Sequence, residues 1–361
     1  SFLSYCLIQE KNGNHLFILP DKEEALYFFN DLENLFNSER GTTLLFYPAS
    51  YRRPYQIMDS DATSVLQRTE VLDALGKERK KLIVVTYPEA IVEKVIEKKN
   101  FEKNNLTISV GEELQLDLMD EILIDLDFEK VDYVYEPGQF AIRGGIIDVF
   151  SFNYEMPYRV ELFGDEIESI REFDPVNQLS VTTLNRIKIV PNINNISLSK
   201  DRVSFLEHLP KNTTLWAKDL EISQKKMEQG FEIASKVYNK IKEKKSLLLP
   251  IEMYLSPLEF FNKIKEFKLL EWNRTVHEKE SVIIDCNSVE QPKFNKNFDI
   301  LVNSLEEWKN QEYSIFICAD QDSQISRLRS IFMELDKEFL CSFITIGLHQ
   351  GFIDHNEKTF R

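Results

Sequence analysis

Tyr158-Arg-Val-Glu-Leu-Phe-Gly-Asp-Glu-Ile-Glu-Ser-Ile-Arg171 is the stretch that decides how this chain folds. Side chains alternate across a strand, so Tyr158, Val160 and Leu162 share one face and Arg159, Glu161 and Phe163 the other. The first set is a core face. The second is charged yet carries a phenylalanine, and arginine beside an aromatic ring is the composition of an interaction hot spot. The tight Gly164-Asp165 turn makes Glu166 to Phe173 the returning strand of a hairpin. Just upstream stands Glu136-Pro-Gly-Gln-Phe-Ala-Ile-Arg-Gly-Gly-Ile-Ile-Asp-Val-Phe150, with a strand read over Phe140 to Phe150. Arg143 joins the outward set if its strand pairs alongside, and Gly144-Gly145 permits a bulge or a close approach of another backbone. The same pattern also suits an ordinary solvated strand, with Phe163 folded over the hairpin end and Arg159 and Glu161 paired to neighbours. The residues alone leave both readings open.

Working outward, the alternating grammar begins near Leu106, adds a helix over Glu112 to Leu126 and a strand over Leu184 to Val190, and ends at Pro191 and the Asn-rich residues after it. This predicts an antiparallel sheet with a helix on one side, inserted at 107–191 into a different kind of domain. Before it, continuous apolar strands at His15 to Leu19, Thr43 to Tyr47 and Leu82 to Thr86 alternate with helices at Phe2 to Gln9, Asp21 to Phe36 and Asp61 to Leu75, the rhythm of a parallel sheet flanked by helices. Asp21 with Glu24 makes a capping pattern, and Ala25, Leu26, Phe29, Leu32 and Phe36 form one helical stripe. Residues 1–106 and 192–278 therefore read as two parts of one α/β domain, the second with a strand at Thr213 to Ala217 and a helix from Leu220. Residues 279–361 read as a small α/β domain: strand Val282 to Cys286, helix Asp299 to Trp308, strand Ser314 to Cys318, helix Ser323 to Leu335 and strand Phe343 to Ile346.

With 43% hydrophobic residues, 26 Phe and 13 Tyr, the chain has the apolar area to fold. Its formal charge of −16 opposes tight non-specific binding of a polyanion. The basic runs at Lys77 to Lys81 and Lys240 to Lys245 are broken by Glu and read as solvated faces. Cys6, Cys286, Cys318 and Cys341 lack any CxxC spacing and read as reduced core thiols. Nothing approaches the ~20 apolar residues of a membrane span and no leader-like segment opens the chain, which reads as cytoplasmic, without a membrane partner. There is no Gly-x-x-x-x-Gly-Lys loop; Gly76-Lys77 follows a helix and reads as its stop. The histidines lack the spacing of a zinc site, and His349, Asp354 and His355 beside Gly351 read as an exposed loop. No catalytic set, metal site or cofactor site follows from these residues.

The run from Pro137 through Phe173-Asp174-Pro175 and Gln178 resembles the UvrA-interacting domain shared by UvrB and the bacterial transcription-repair coupling factors. Phe46-Tyr-Pro-Ala-Ser-Tyr-Arg-Arg-Pro-Tyr55 with Arg68, and Pro292 to Phe298 with Gly351-Phe-Ile-Asp354, resemble further parts of the coupling factors' N-terminal region. The resemblance implies a degenerate RecA-like domain, its ATP site lost, interrupted by a small α+β docking domain and followed by a small α/β domain. It implies UvrA contacts at Arg143, Arg159 and Phe163, with Glu161 less firmly placed, and no catalysis in this region. ATP, magnesium, RNA polymerase and double-stranded DNA would be bound by C-terminal domains outside this chain, one of which masks the docking surface in the resting full-length protein. Where the family often has Pro after the Asp-Val-Phe strand, Ser151 stands here. The rival is a UvrB-like ATP-dependent, damage-binding helicase subunit, which would carry an intact phosphate loop and an aromatic hairpin. A two-lobe solute binder also suits the α/β rhythm but calls for a leader segment and a ligand cleft.

Overall fold

The computed structural model describes the chain except residues 11–12, 38–40, 51–54, 56–61, 78, 194–200, 242–246, 273–281, 295–296, 338–339 and 361. The Tyr51 to Pro54 part of one family-like segment, Lys242 to Lys245, His277 and the Asn295-Lys296 pair thus lie outside the described residues. The chain divides into two compact units, Ser1–Asn12 with Leu26–Arg40 and Asn273–Arg361, and Gly13–Ala25 with Gly41–Trp272.

The larger unit is built on a five-stranded parallel sheet in the order Lys268–Trp272, Thr214–Lys218, Gly13–Ile18, Lys81–Thr86, Thr42–Phe46. Lys81–Thr86 is buried along its whole length, as an inner parallel strand covered on both faces must be; Lys81, expected on a solvated face, is buried with it. Asp21 Oδ1 accepts the Glu24 amide at 2.9 Å and opens helix Lys22–Phe36. The buried stripe of that helix is Ala25, Phe28, Leu32 and Phe36. Leu26 is exposed and Phe28 takes the place expected of Phe29, because the stripe runs at i, i+3, i+7 and i+11.

Between the third and fourth strands of this sheet in the sequence, the chain builds a second, six-stranded sheet. Its order is Ser180–Leu184, Glu166–Phe173, Tyr158–Phe163, Ile146–Val149, Gln139–Arg143, Glu129–Lys130, antiparallel except for the last pair. The strand expected over Phe140 to Phe150 is in fact a hairpin. Gly144 turns the chain at φ +61°, and a Cβ on Gly145 would come within 3.0 Å of the Leu162 carbonyl oxygen. Leu184 to Val190 likewise divides into an outer strand and Arg186–Ile189, which pairs antiparallel with Leu106–Ser109 as a two-stranded stem. The helix on the inner face runs over Leu116–Asp125, shorter than Glu112 to Leu126, since Glu112 accepts the Ser109 amide and Glu113 makes a bridge to Glu166. Phe140, Ile147, Val149, Tyr158, Val160 and Ile167 pack with Met119 and Leu123 of that helix and with Val65 of helix Ala62–Leu75.

The smaller unit holds a mixed sheet ordered Ser288–Glu290, Phe352–Asp354, Thr359–Phe360, Ser314–Ala319, Ser342–Thr345, with helices Phe298–Asn310 and Asp322–Glu334 packed through Leu305 and Phe332. Val282 to Cys286 is not a strand. Asp285 accepts the Asn287 amide, Asn287 sits at φ +45°, and pairing begins only at Ser288; Val282, Ile283 and Ile284 are exposed. Phe352–Asp354, read as loop, is a strand with Ile353 buried. His355 shares a 2.7 Å hydrogen bond with Tyr313, and His349 stacks on Tyr27. The cysteines form no disulfide among the described residues: Cys6 is exposed, and Cys286, Cys318 and Cys341 are half-buried, Cys318 on the partly covered strand Ser314–Ala319 and Cys341 packed at the edge of the core.

The stem is tied to helix Ala62–Leu75 through Asp73, which accepts from Lys188 at 2.6 Å and from Lys77 at 2.5 Å. Burial alone would raise the Asp73 carboxyl; the two ammonium groups outweigh it and hold the group below the ordinary carboxylate range. A carboxyl lowered in this way stabilises the fold above its unfolded-state pKa, and that stability is lost as pH falls through the lowered value. Asp73→Asn is expected to cost roughly 1–2 kcal/mol at pH 7, with Lys77 largely solvated. The difference from the parent chain should shrink as pH falls below ~4, where the unfolded carboxylate takes up its proton. Urea titrations at pH 7 and in acid check this; a constant difference would contradict it.

Candidate functional site

The outward face of the six-stranded sheet follows from its register. Asp148 lies opposite Arg159, and Arg159 opposite Arg171; in the next row Arg143 faces Ile146, Ile146 faces Glu161, and Glu161 faces Ser169. Arg143 does not sit beside the Tyr158–Phe163 strand as one reading required, because Ile146–Val149 lies between them. Asp148 on that middle strand brings the two arginines together. It is fully buried, and its Oδ1 accepts Arg159 Nε at 2.7 Å while its Oδ2 accepts Arg159 Nη2 at 2.8 Å and also Arg143 Nη2. The bidentate bond to Asp148 is the main reason the Arg159 guanidinium is held above its usual pKa.

Aromatic rings complete the setting. The Arg159 guanidinium lies 4.4 Å over Phe173, which belongs to a small outward cluster with Val134, Ala141 and Phe150. Arg143 lies 4.8 Å over Tyr133. Arg171, directly opposite Arg159, would repel it; Glu161 from the neighbouring strand pairs with Arg171 and takes a 2.9 Å bond from the Ser169 hydroxyl. Burial would raise the Glu161 carboxyl, but Ser169 and Arg171 outweigh it and hold it below its usual range. At the hairpin end Phe163, on the strand that carries Arg159, is 80% exposed, a large apolar ring standing in solvent. Within this paired set three guanidinium groups meet two carboxylates, in a chain of net charge −16. The arrangement is suited to receive an acidic and apolar surface.

The four residues marked in the sequence therefore share one face of one sheet. Asp148, Arg171 and Gln178 were missed. Asp148 had a signal, a lone acid within the apolar run Ile146-Ile-Asp-Val149, since a charge there needs a partner. Gln178 had none, because its role depends on φ +64° at that residue and on the turn closed by Asp174.

The family model described as UvrB interaction domain matches residues 106–194. The chain is similar to the transcription-repair-coupling factors: 27% identical over 227 residues to that of Bacillus subtilis, covering 63% of this chain and 19% of that protein. It is 33% identical over 178 residues to that of Myxococcus xanthus, covering 48% and 15%. The UvrABC system protein B of Thermosipho africanus is 26% identical over 193 residues, covering 51% of this chain and 29% of that protein. The chain thus spans under a third of the length of these relatives.

In the parallel sheet, the place where a phosphate loop would join strand to helix is occupied by the short connection Leu19-Pro20-Asp21. The ends of the neighbouring strands are filled. Arg68, 1% exposed, donates to the Pro48 carbonyl at 2.8 Å and pairs with Glu93 at 3.1 Å, and Tyr47 lies between Arg68 and Phe205, its ring stacked on Phe205 at 4.1 Å. Among the described residues no group of three or more His, Cys, Asp or Glu is arranged to hold a metal, and no helix is long and apolar enough to cross a membrane.

Truncating the two ends of the face should separate structure from surface. Asp148→Ala leaves Arg159 with no buried counter-charge and is expected to cost about 3 kcal/mol, the low end for a buried pair because Arg143 can turn to solvent. Phe163→Ala should change stability by no more than about 0.5 kcal/mol. Chemical denaturation of both variants decides; equal losses would mean that the Phe163 ring is part of the packing.

Proposed function

We propose that this chain is the docking region of a transcription-repair coupling factor, which recruits UvrA to stalled RNA polymerase in transcription-coupled nucleotide excision repair. The observation that carries the reading is the exposed Phe163 ring on the same sheet face as guanidinium groups anchored on Asp148, within the segment that matches the UvrB interaction domain. Arg143, Arg159, Glu161 and Phe163 form the contact set: the arginines meet carboxylates of UvrA, and Phe163 enters an apolar pocket. This region carries no ATPase activity, a reading supported by the Leu19–Asp21 connection and by the buried Arg68, Tyr47 and Phe205 at the strand ends. RNA polymerase, double-stranded DNA, ATP and magnesium are bound by domains outside this chain, one of which masks the docking face in the resting full-length protein. The setting is the bacterial cytoplasm.

The similarity to UvrABC system protein B keeps one alternative in view, an ATP-dependent, damage-binding helicase subunit. It predicts nucleotide binding here, and the docking reading predicts none.

The chain should co-purify with its cognate UvrA. Phe163→Ala and Arg143→Glu should each weaken the complex by about 30- to 1000-fold, the equivalent of 2–4 kcal/mol at a central anchor. Wild-type affinity in both variants would end the docking proposal. Magnesium-ATP should leave the melting temperature unchanged; a rise that grows with nucleotide concentration would transfer support to the helicase alternative. The resting full-length protein should bind UvrA more weakly than this chain, and equal affinity would rule out masking.

A further inference from the structure

Both arginines of the docking face are already held in the free chain. A guanidinium has five N–H donors. On Arg159, Nε and one Nη2 hydrogen go to Asp148, Nη1 donates to the Gln178 carbonyl at 3.3 Å, and Nη2 reaches Gln178 Oε1 at 3.4 Å. Gln178 is fixed in turn, its amide donating to the carbonyls of Pro175 at 2.7 Å and Val134 at 3.3 Å. Arg143 is held more lightly, by Asp148 and the Asp132 carbonyl, with Tyr133 against its plane. Its side chain is 37% exposed, against 17% for Arg159. A long side chain ordered in advance does not lose its rotamer freedom when a partner arrives.

We propose that Asp148 is the positioning residue of this face: with Arg159 as a half-buried frame, it fixes the direction in which Arg143 offers its remaining donors to a carboxylate on the partner. The inference rests on the docking reading and divides the labour within it. Arg143 makes the more exposed of the two arginine contacts, Arg159 frames it, and Asp148 touches no partner atom. Were Asp148 merely a counter-charge that keeps the sheet folded, any cation at position 143 would serve the partner equally. If direction matters, a lysine will not replace the planar fork.

The test titrates the 361-residue chain and its variants against UvrA, with a thermal melt of each variant alongside. Arg143→Lys, at an exposed position, should melt as the parent does and bind about tenfold more weakly. Asp148→Asn should also bind about tenfold more weakly, and in an Arg143→Ala background the same change should cost less than about threefold, because the two residues act as one. Parent-like affinity of Arg143→Lys, or an undiminished effect of Asp148→Asn without Arg143, would overturn the inference. If Asp148→Asn melts too low to titrate, Arg143→Lys decides alone. Phe163→Ala separates the two levels: lost binding there with an intact Arg143→Lys complex sinks only the positioning role, and intact binding in both sinks the docking reading itself.

Discussion

A carboxylate sealed beneath two guanidinium groups is the constraint on which the outward face depends. Asp148 has no access to water, so it can remain charged only where the strands on either side supply hydrogen-bond donors. That requirement and the apolar alternation select the same register. A one-residue slip of Tyr158–Phe163 would carry Arg159 into the core and Val160 outward, leaving Asp148 unpaired on one side. Packing on the inner face and charge balance on the outer face thus reinforce each other, and the face gains a definite geometry from interactions that also keep the sheet in order.

The parallel sheet shows the opposite use of a buried charge. Arg68 and Glu93, with Tyr47 and Phe205, occupy the strand ends where α/β sheets ordinarily leave a crevice for ligands. Removing one member of such a pair leaves the other stranded, so the filling is held in place by its own energetics.

Much of this was legible in the sequence because the signals were local. The alternation of Tyr158 to Phe163, the Asp21 cap and the unbroken Leu82 to Thr86 run each specify their element without reference to distant residues. What escaped depended on partners far along the chain or on single backbone angles. The Phe140 to Phe150 run alternates well enough to pass for one strand, and only φ +61° at Gly144 folds it in two. Val282 to Cys286 has the composition of a buried strand, but the sheet it would join pairs from Ser288 instead. The face itself was read as four outward side chains; the acid that unites two of them lay in a run that reads as core.

The stem gives the six-stranded sheet a property of its own. Leu106–Ser109 and Arg186–Ile189 run side by side, so the chain enters and leaves this sheet through adjacent residues. A host that acquires such a segment needs only two neighbouring positions in a surface loop, and none of its own strands need change place. The sheet is in this sense a cassette. Its outward chemistry is carried whole by residues between the two stem strands.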